Sequence, residues 1–122
     1  MIPERVRNYA RTGLEGAPVV LERLLDGITD AEADRRPDPE RFTLREVIAH
    51  LADWEPIWHE RLKAIAEQSD PFLPGYDEGQ YAIDHDYAHS VLSEQLAKFR
   101  AGREALARYV VSVPVEAWTL TT

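Results

Sequence analysis

The chain contains no cysteine among its 122 residues. This absence excludes structural disulfides, a thiolate nucleophile and every metal site built on sulfur ligands. Long apolar runs are missing too: the longest, Ala17–Leu21, is far shorter than the roughly 20 residues that span a membrane as a helix. Because the first ten residues contain no apolar signal core either, we expect a cytoplasmic protein that does not enter a membrane.

Basic residues are in the minority. The sequence has 14 Lys and Arg against 22 Asp and Glu, which gives a net charge of −8 and a pI near 4.9. A field of this sign repels phosphate backbones and anionic lipid, so nucleic acid is not an expected partner. Five of the acids and none of the bases fall in residues 69–86, which also hold two prolines and two glycines. This composition predicts a long loop, with one turn of helix near Glu78–Ile83.

No window alternates between apolar and polar residues over the length of a strand, so we predict no β-structure. Three long segments instead repeat their apolar residues at a helical period. The first stripe is Val6, Ala10, Gly13, Ala17, Val20, Leu24 and Gly27; the second is Leu44, Ile48, Leu51, Glu55, Trp58, Leu62 and Ile65; the third is Leu92, Leu96, Phe99, Arg103, Leu106, Val110 and Val113. The sequence therefore predicts an all-α helix bundle that forms a single domain over residues 1–122.

Local signals mark where the helices begin. Thr43 is followed three residues later by Glu46, which is a capping-box pattern in front of an apolar run. Thr29 and Glu32 repeat this pattern before a short helix, which two downstream prolines terminate. Asp86 is the predicted cap of the third long helix. The expected architecture is therefore three long helices plus a short one.

Glu55 and Arg103 are the only charged residues in the second and third stripes. An isolated charge inside a bundle is costly, so one interpretation is that these two side chains form a buried ion pair. The other interpretation is that both side chains extend to the edge of the bundle and keep their charges in water.

Histidines are the candidate metal ligands, since cysteine is absent. His50 lies beside the second stripe, and Asp53 follows one turn later. This arrangement fits a metal ligand or general base held by a carboxylate, and it equally fits a partly buried structural histidine. His85 and His89 are four residues apart, so on a helix both rings would reach one ion, but they lie at a junction between loop and helix.

Residues 22–62 read ERLLDGITDAEADRRPDPERFTLREVIAHLADWEPIWHERL. The features of this run are a leucine-rich helix end, a short acidic helix, Arg-Pro, an aromatic residue before a cap, and the sequence His50-Leu51-Ala52-Asp53. This pattern resembles the DinB/YfiT-like superfamily of bacterial four-helix bundles. The resemblance continues more weakly through FRAGREAL at residues 99–106.

The resemblance implies up-down-down-up helix directions and a metal site, commonly zinc or nickel, made by three histidines. One ligand corresponds to His50, with Asp53 orienting its ring, and the other two form a His-x-x-x-His on the last helix. Here the chain reads VEAWTLTT after Pro114, so we expect the fourth bundle helix and two ligands to be missing. A bundle of three helices would leave an apolar groove open to water. Closure of this groove by a partner chain, truncation of a longer chain and repacking of the remaining helices are all open, and we expect a homodimer.

The superfamily includes metal-dependent thiol transferases and isomerases that use low-molecular-weight thiols, together with uncharacterised stress-associated proteins. The resemblance therefore implies a metal-dependent thiol (S-)transferase with a small-molecule thiol as its partner. The alternative is a non-catalytic binding or assembly module that keeps the bundle scaffold without a complete metal site. The sequence does not decide whether the chain is an enzyme.

Overall fold

The computed structural model describes residues 3–114 and 116, and in this part of the chain there is no strand. The elements in chain order are α1 (Glu4–Leu25), α2 (Asp30–Ala33), α3 (Leu44–Glu67), α4 (Glu78–Asp84), a 3₁₀ turn (Tyr87–His89) and α5 (Leu92–Ser112). The predicted all-α bundle with three long helices is confirmed. The expectation of a missing fourth bundle helix is not confirmed, because it concerns the segment after Pro114, which apart from Glu116 lies outside the described residues.

Both predicted capping boxes are present. The Thr43 hydroxyl accepts a hydrogen bond from the Glu46 N–H, and the Glu46 carboxylate accepts one from the Thr43 N–H at 2.9 Å. Thr29 and Glu32 make the same exchange at the start of α2. Each box satisfies backbone donors that have no partner within the helix, which is why short-range sequence signals locate these two helix starts.

The predicted start of the third long helix is wrong. Asp86 adopts a left-handed conformation with φ at 51° and precedes the 3₁₀ turn instead of α5. The helix α5 begins at Leu92, after Val91, and no side chain caps it with a hydrogen bond. Aspartate tolerates positive φ because its short polar side chain bonds to the nearby backbone, so an aspartate before an apolar run indicates a turn as readily as a cap.

The contacts between helices define their directions. From one end of α3 to the other, Arg45 contacts Ser90, Glu55 contacts Arg103 and His59 contacts Tyr109. Since both series of numbers rise together, α3 and α5 run parallel. Leu14 and Glu22 of α1 contact Arg103 and Arg100, respectively, so α1 runs antiparallel to α5. Residues 68–91, which include α4 and the 3₁₀ turn, form the long crossover that two consecutive parallel helices require.

Close packing of α3 against α5 forms the core. The buried apolar residues of the described chain are Ala33, Ile48, Ala49, Ala52, Trp54, Tyr87, Phe99, Leu106 and Ala107. At one contact between the two helices, a Cβ atom on Gly102 would lie 2.9 Å from Cβ of Glu55. In the described part of the chain, no helix is long and apolar enough to cross a membrane.

Candidate functional site

Aromatic rings gather where the crossover packs on the first half of α3. We call this group the aromatic cluster, and its members are Phe42, His50, Trp54, Tyr76, Tyr81, His85 and Tyr87. Neighbouring ring centroids lie 4.9–6.4 Å apart, mostly in tilted or edge-to-face arrangements. The helix α3 supplies two of the rings at a spacing of one turn, and the crossover supplies most of the others. The cluster therefore holds the crossover against the bundle.

His50 lies in the aromatic cluster with one ring nitrogen unsatisfied. Its ring centroid is 5.8 Å from that of Phe42 and 5.3 Å from that of Trp54. Its Nδ1 atom is buried and has no hydrogen-bond partner among the described residues. A buried polar atom without a partner is costly and uncommon, so this nitrogen is where a ligand is expected to bind.

The carboxylate of Asp53 is held by the crossover. Its Oδ2 atom accepts a hydrogen bond from the Tyr87 hydroxyl at 2.7 Å and lies 2.5 Å from Nδ1 of His85. Its Oδ1 atom is 3.6 Å from Nζ of Lys98 on α5. Asp53 thus binds three side chains that are distant in sequence, and none of these contacts involves His50, which the sequence pattern had paired with it.

The surroundings of Asp53 keep it ionised. Burial alone raises its pKa, but the hydrogen bonds from Tyr87 and His85 and the nearby positive charge of Lys98 lower the pKa below its ordinary value. The pKa of Tyr87 is raised in turn, first by burial and then by its hydrogen bond to the carboxylate. At neutral pH, Asp53 is therefore an acceptor and Tyr87 a neutral donor.

His85 and His89 do not share a helix, so the spacing that would direct both rings toward one ion does not arise. The helix α4 ends at Asp84, and the left-handed Asp86 separates the two histidines. Nδ1 of His85 faces Asp53, whereas Nδ1 of exposed His89 lies 2.7 Å from Oδ1 of Asp86. The two rings therefore bind to different carboxylates.

Glu55 and Arg103 meet inside the bundle. Arg103 donates to the Glu55 carboxylate from Nη2 at 2.7 Å and from Nε at 3.1 Å. The Glu55 side chain is only 4% exposed. Nη1 of Arg103 also lies 3.4 Å from the carbonyl oxygen of Leu14, and its guanidinium carbon is 5.0 Å from the centroid of the Phe99 ring. The pair therefore connects α1, α3 and α5 at one point, with no exposed charge on the acid.

Two arginine sites escaped the sequence analysis. Arg45 is buried and binds the carboxylates of Asp30 and Asp34, which ties α2 to the start of α3. Arg61 lies over the rings of Trp54, Trp58 and Tyr76 at 5.0–5.7 Å and donates to the Pro74 carbonyl. Only the spacing between Trp58 and Arg61, which is one helical turn, was visible in the sequence.

The residues near His50 supply an incomplete donor set for a metal ion. The unpartnered nitrogen of His50 suits a zinc or nickel ligand. However, within residues 3–114 and 116, no group of three or more His, Asp or Glu side chains is placed to hold a metal ion. One fitting ligand is therefore present, whereas a catalytic zinc site usually takes three from protein.

Comparison with known proteins agrees with this fold. The family model that describes the DinB superfamily matches residues 14–121. Among solved structures, YfiT from Bacillus subtilis, described as a probable metal-dependent hydrolase with an unusual four-helix bundle topology, superposes with a TM-score of 0.87 at 21% identity. This superposition covers 96% of the present chain and 67% of the YfiT chain, and at such low identity it shows the fold alone. A search of curated proteins found no match. Since the family model spans most of the sequence, this chain belongs to the DinB superfamily.

Proposed function

We propose that this chain is a metal-dependent enzyme in which His50 supplies one of the metal ligands. The observation that carries the proposal is the buried Nδ1 atom of His50, which has no partner among the described residues. A metal ion, zinc or nickel by resemblance, would supply Lewis acidity and lower the pKa of a thiol or water molecule. The remaining ligands come from a second copy of the chain, since the residues outside those described include no histidine, cysteine, aspartate or glutamate.

The side chains around His50 have separate tasks in this proposal. Phe42, Trp54 and Tyr87 surround the imidazole with apolar ring surface, which excludes water and limits its rotation. Asp53 does not orient the His50 ring directly. It instead fixes Tyr87 and His85 through hydrogen bonds, and Tyr87 in turn packs beside His50. Asp53 is therefore a positioning residue that acts through the crossover.

The reaction class that we propose is transfer of a low-molecular-weight thiol, as the superfamily resemblance implies. The YfiT relative is described as a hydrolase, so hydrolysis is the competing outcome. Both reactions need a nucleophile with a lowered pKa, a thiol in one and water in the other. Assays of the metal-loaded chain with small thiols and electrophilic acceptors, beside ester and amide substrates, distinguish the two.

A non-catalytic assembly module is the second candidate, and one observation favours it. Within the described part of the chain, no three potential ligands converge on a site. A protein that had kept the scaffold and lost its metal would have this arrangement. The two candidates differ in the metal content of the protein.

Metal analysis by mass spectrometry tests the choice. We expect zinc or nickel to accompany the purified chain in a fixed molar ratio, and the His50→Ala variant to lose it. The His89→Ala variant is the matched control, because His89 is exposed and binds only Asp86 among the side chains described. A metal-free wild-type chain that gains no thiol-transfer or hydrolytic activity with added zinc or nickel would favour the assembly module.

A further inference from the structure

Arg61 on α3 is half-buried and has no carboxylate partner among the described residues. Its Nη2 atom donates to the Pro74 carbonyl at 3.2 Å, and its Nε atom is buried with no hydrogen-bond partner in the described part of the chain. By contrast, the buried Arg45 and the half-buried Arg103 both bind carboxylates. No described side chain therefore neutralises the charge of Arg61.

Acidic side chains are plentiful around Arg61. The chain carries 22 acids against 14 bases, and the crossover that Arg61 contacts holds five acids and no lysine or arginine between residues 69 and 86. A half-buried arginine in such surroundings usually forms an ion pair, because its five donors and its charge are costly to leave unsatisfied. The guanidinium group is therefore available to an anion that is not part of the chain.

Three aromatic rings hold the guanidinium group of Arg61 in place. Its Cζ atom lies 5.0 Å from the ring centroid of Trp58, 5.4 Å from that of Tyr76 and 5.7 Å from that of Trp54. The faces of these rings attract a cation without neutralising its charge. Since Nη1 makes no hydrogen bond to the described residues, Nη1 and Nη2 present free hydrogens side by side, which is the arrangement that binds both oxygens of a carboxylate.

Arg61 lies on the same face of α3 as His50, about three helical turns further along. Trp54 lies between them, with its ring 5.3 Å from the His50 ring and 5.7 Å from the guanidinium carbon of Arg61. The arginine side chain therefore extends back along α3 toward His50. The surroundings of Arg61 come from α3 and the crossover, and none of these residues lines the groove that α1, α3 and α5 form together.

From these observations we propose that Arg61 is a substrate-binding residue that holds a carboxylate, so that the protein selects small molecules with an anionic group at one end and the reacting group at the other. For the thiol transfer proposed above, the substrate class is a thiol that carries a carboxylate. This class rests on the proposed function for the chemistry at His50, whereas the carboxylate site rests on the surroundings of Arg61 alone. No bond forms or breaks at Arg61.

Two thiols that differ only at one end test the selection in the metal-loaded protein. Mercaptohexanoate and mercaptohexanol both carry a thiol at the far end of a six-carbon chain, but only the first carries a carboxylate. Arg61→Met keeps an apolar side chain and removes the charge, so it should raise KM for mercaptohexanoate at least about tenfold and leave KM for mercaptohexanol within about threefold. An arginine that only supported the fold would change both KM values alike, and that result overturns the proposal.

Lys63→Met is the matched control for Arg61→Met. It removes the same charge from an exposed position two residues further along α3, so it changes the overall field equally. We expect its KM for mercaptohexanoate to stay within about threefold of the wild-type value. Circular dichroism and thermal denaturation check that both variants are folded. A control that loses the preference for the carboxylate as strongly as Arg61→Met would show an effect of net charge alone and overturn the assignment to Arg61.

Tryptophan fluorescence separates this inference from the proposed function, because it needs no turnover. Trp54 and Trp58 lie beside the guanidinium group, so a carboxylate that binds there should change their emission. We expect a saturable change with mercaptohexanoate, and a Kd at least about tenfold higher in Arg61→Met. Such binding in a chain that holds no metal and transfers no thiol would overturn the proposed function and leave the carboxylate site standing. A wild-type chain that binds both thiols alike, or binds neither, overturns the carboxylate site.

Discussion

Two acidic side chains on α3, buried Glu55 and half-buried Asp53, are held by different partners. Glu55 is neutralised by a single arginine in a two-point ion pair. The carboxylate of Asp53 instead contacts the Tyr87 hydroxyl, the His85 imidazole and, at a longer distance, the Lys98 ammonium group. Removing one partner of an ion pair that is buried in the core is costly, because the other charge is left without a partner. The contribution of a hydrogen-bonded carboxylate nearer the surface to stability instead depends on pH. Different experiments therefore suit each residue.

The Glu55–Arg103 pair predicts strong coupling in a double-mutant cycle. Arg103→Met alone strands a buried carboxylate, so it should lower the free energy of unfolding by about 3–5 kcal/mol. Glu55→Leu combined with Arg103→Met leaves no charge stranded and should cost far less. Urea denaturation measures both, with Arg100→Met at the more exposed Glu22 pair as the control. Simple additivity would contradict a direct contact.

Asp53 predicts an acid-sensitive contribution to stability. Its pKa is lower in the folded chain than in the unfolded chain, so its contribution is fully present above the unfolded value and is lost as pH falls through the folded value. The stability difference between wild type and Asp53→Asn should therefore be largest near neutral pH and shrink below about pH 4. Urea unfolding midpoints across this range measure it. A difference that stays constant down to pH 3 would contradict the assignment.

At the scale of elements, the sequence predicts what is decided locally. The periodic stripes locate α1, α3 and α5, and the capping boxes locate two helix starts, because those hydrogen bonds close within three residues. The path of the crossover depends instead on residues that meet across 30 or more positions, such as Asp53 with His85 and Tyr87. Such contacts leave no periodic signal in the sequence. Asp53 was therefore expected to orient His50, whereas its observed partners are His85 and Tyr87.

The tight contact between α3 and α5 at Gly102 predicts that replacing this glycine by alanine destabilises the protein. Replacing glycine by alanine in an unobstructed helix stabilises by roughly 0.5–1 kcal/mol. At Gly102, however, the new Cβ would lie 2.9 Å from Cβ of Glu55, so Gly102→Ala should destabilise by about 1–3 kcal/mol through overpacking. Gly79→Ala in α4 is the control, because a Cβ atom there would lie 3.5 Å from Oδ1 of Asp77, which is an ordinary contact. Thermal denaturation that shows Gly102→Ala to be stabilising would contradict the packing.

At the scale of the molecule, the aromatic cluster joins α3 to the crossover and lies apart from the groove that α1, α3 and α5 line together. The sequence predicted His50 as the candidate ligand through the superfamily pattern, but its unsatisfied nitrogen is visible only in three dimensions. Of the rings beside His50, Trp54 lies one turn away on the same helix, but Tyr87 comes from the crossover, so no spacing rule could have assembled the whole group.

Calorimetric titration with zinc and nickel tests the central claim most directly, namely that His50 binds the metal. The account predicts saturable binding whose affinity falls at least about tenfold in His50→Ala, because an imidazole ligand is lost. His89→Ala should bind as the wild-type chain does, and circular dichroism should show all three proteins folded. Metal binding that His50→Ala leaves unchanged, or a wild-type chain that binds neither metal, would contradict the account.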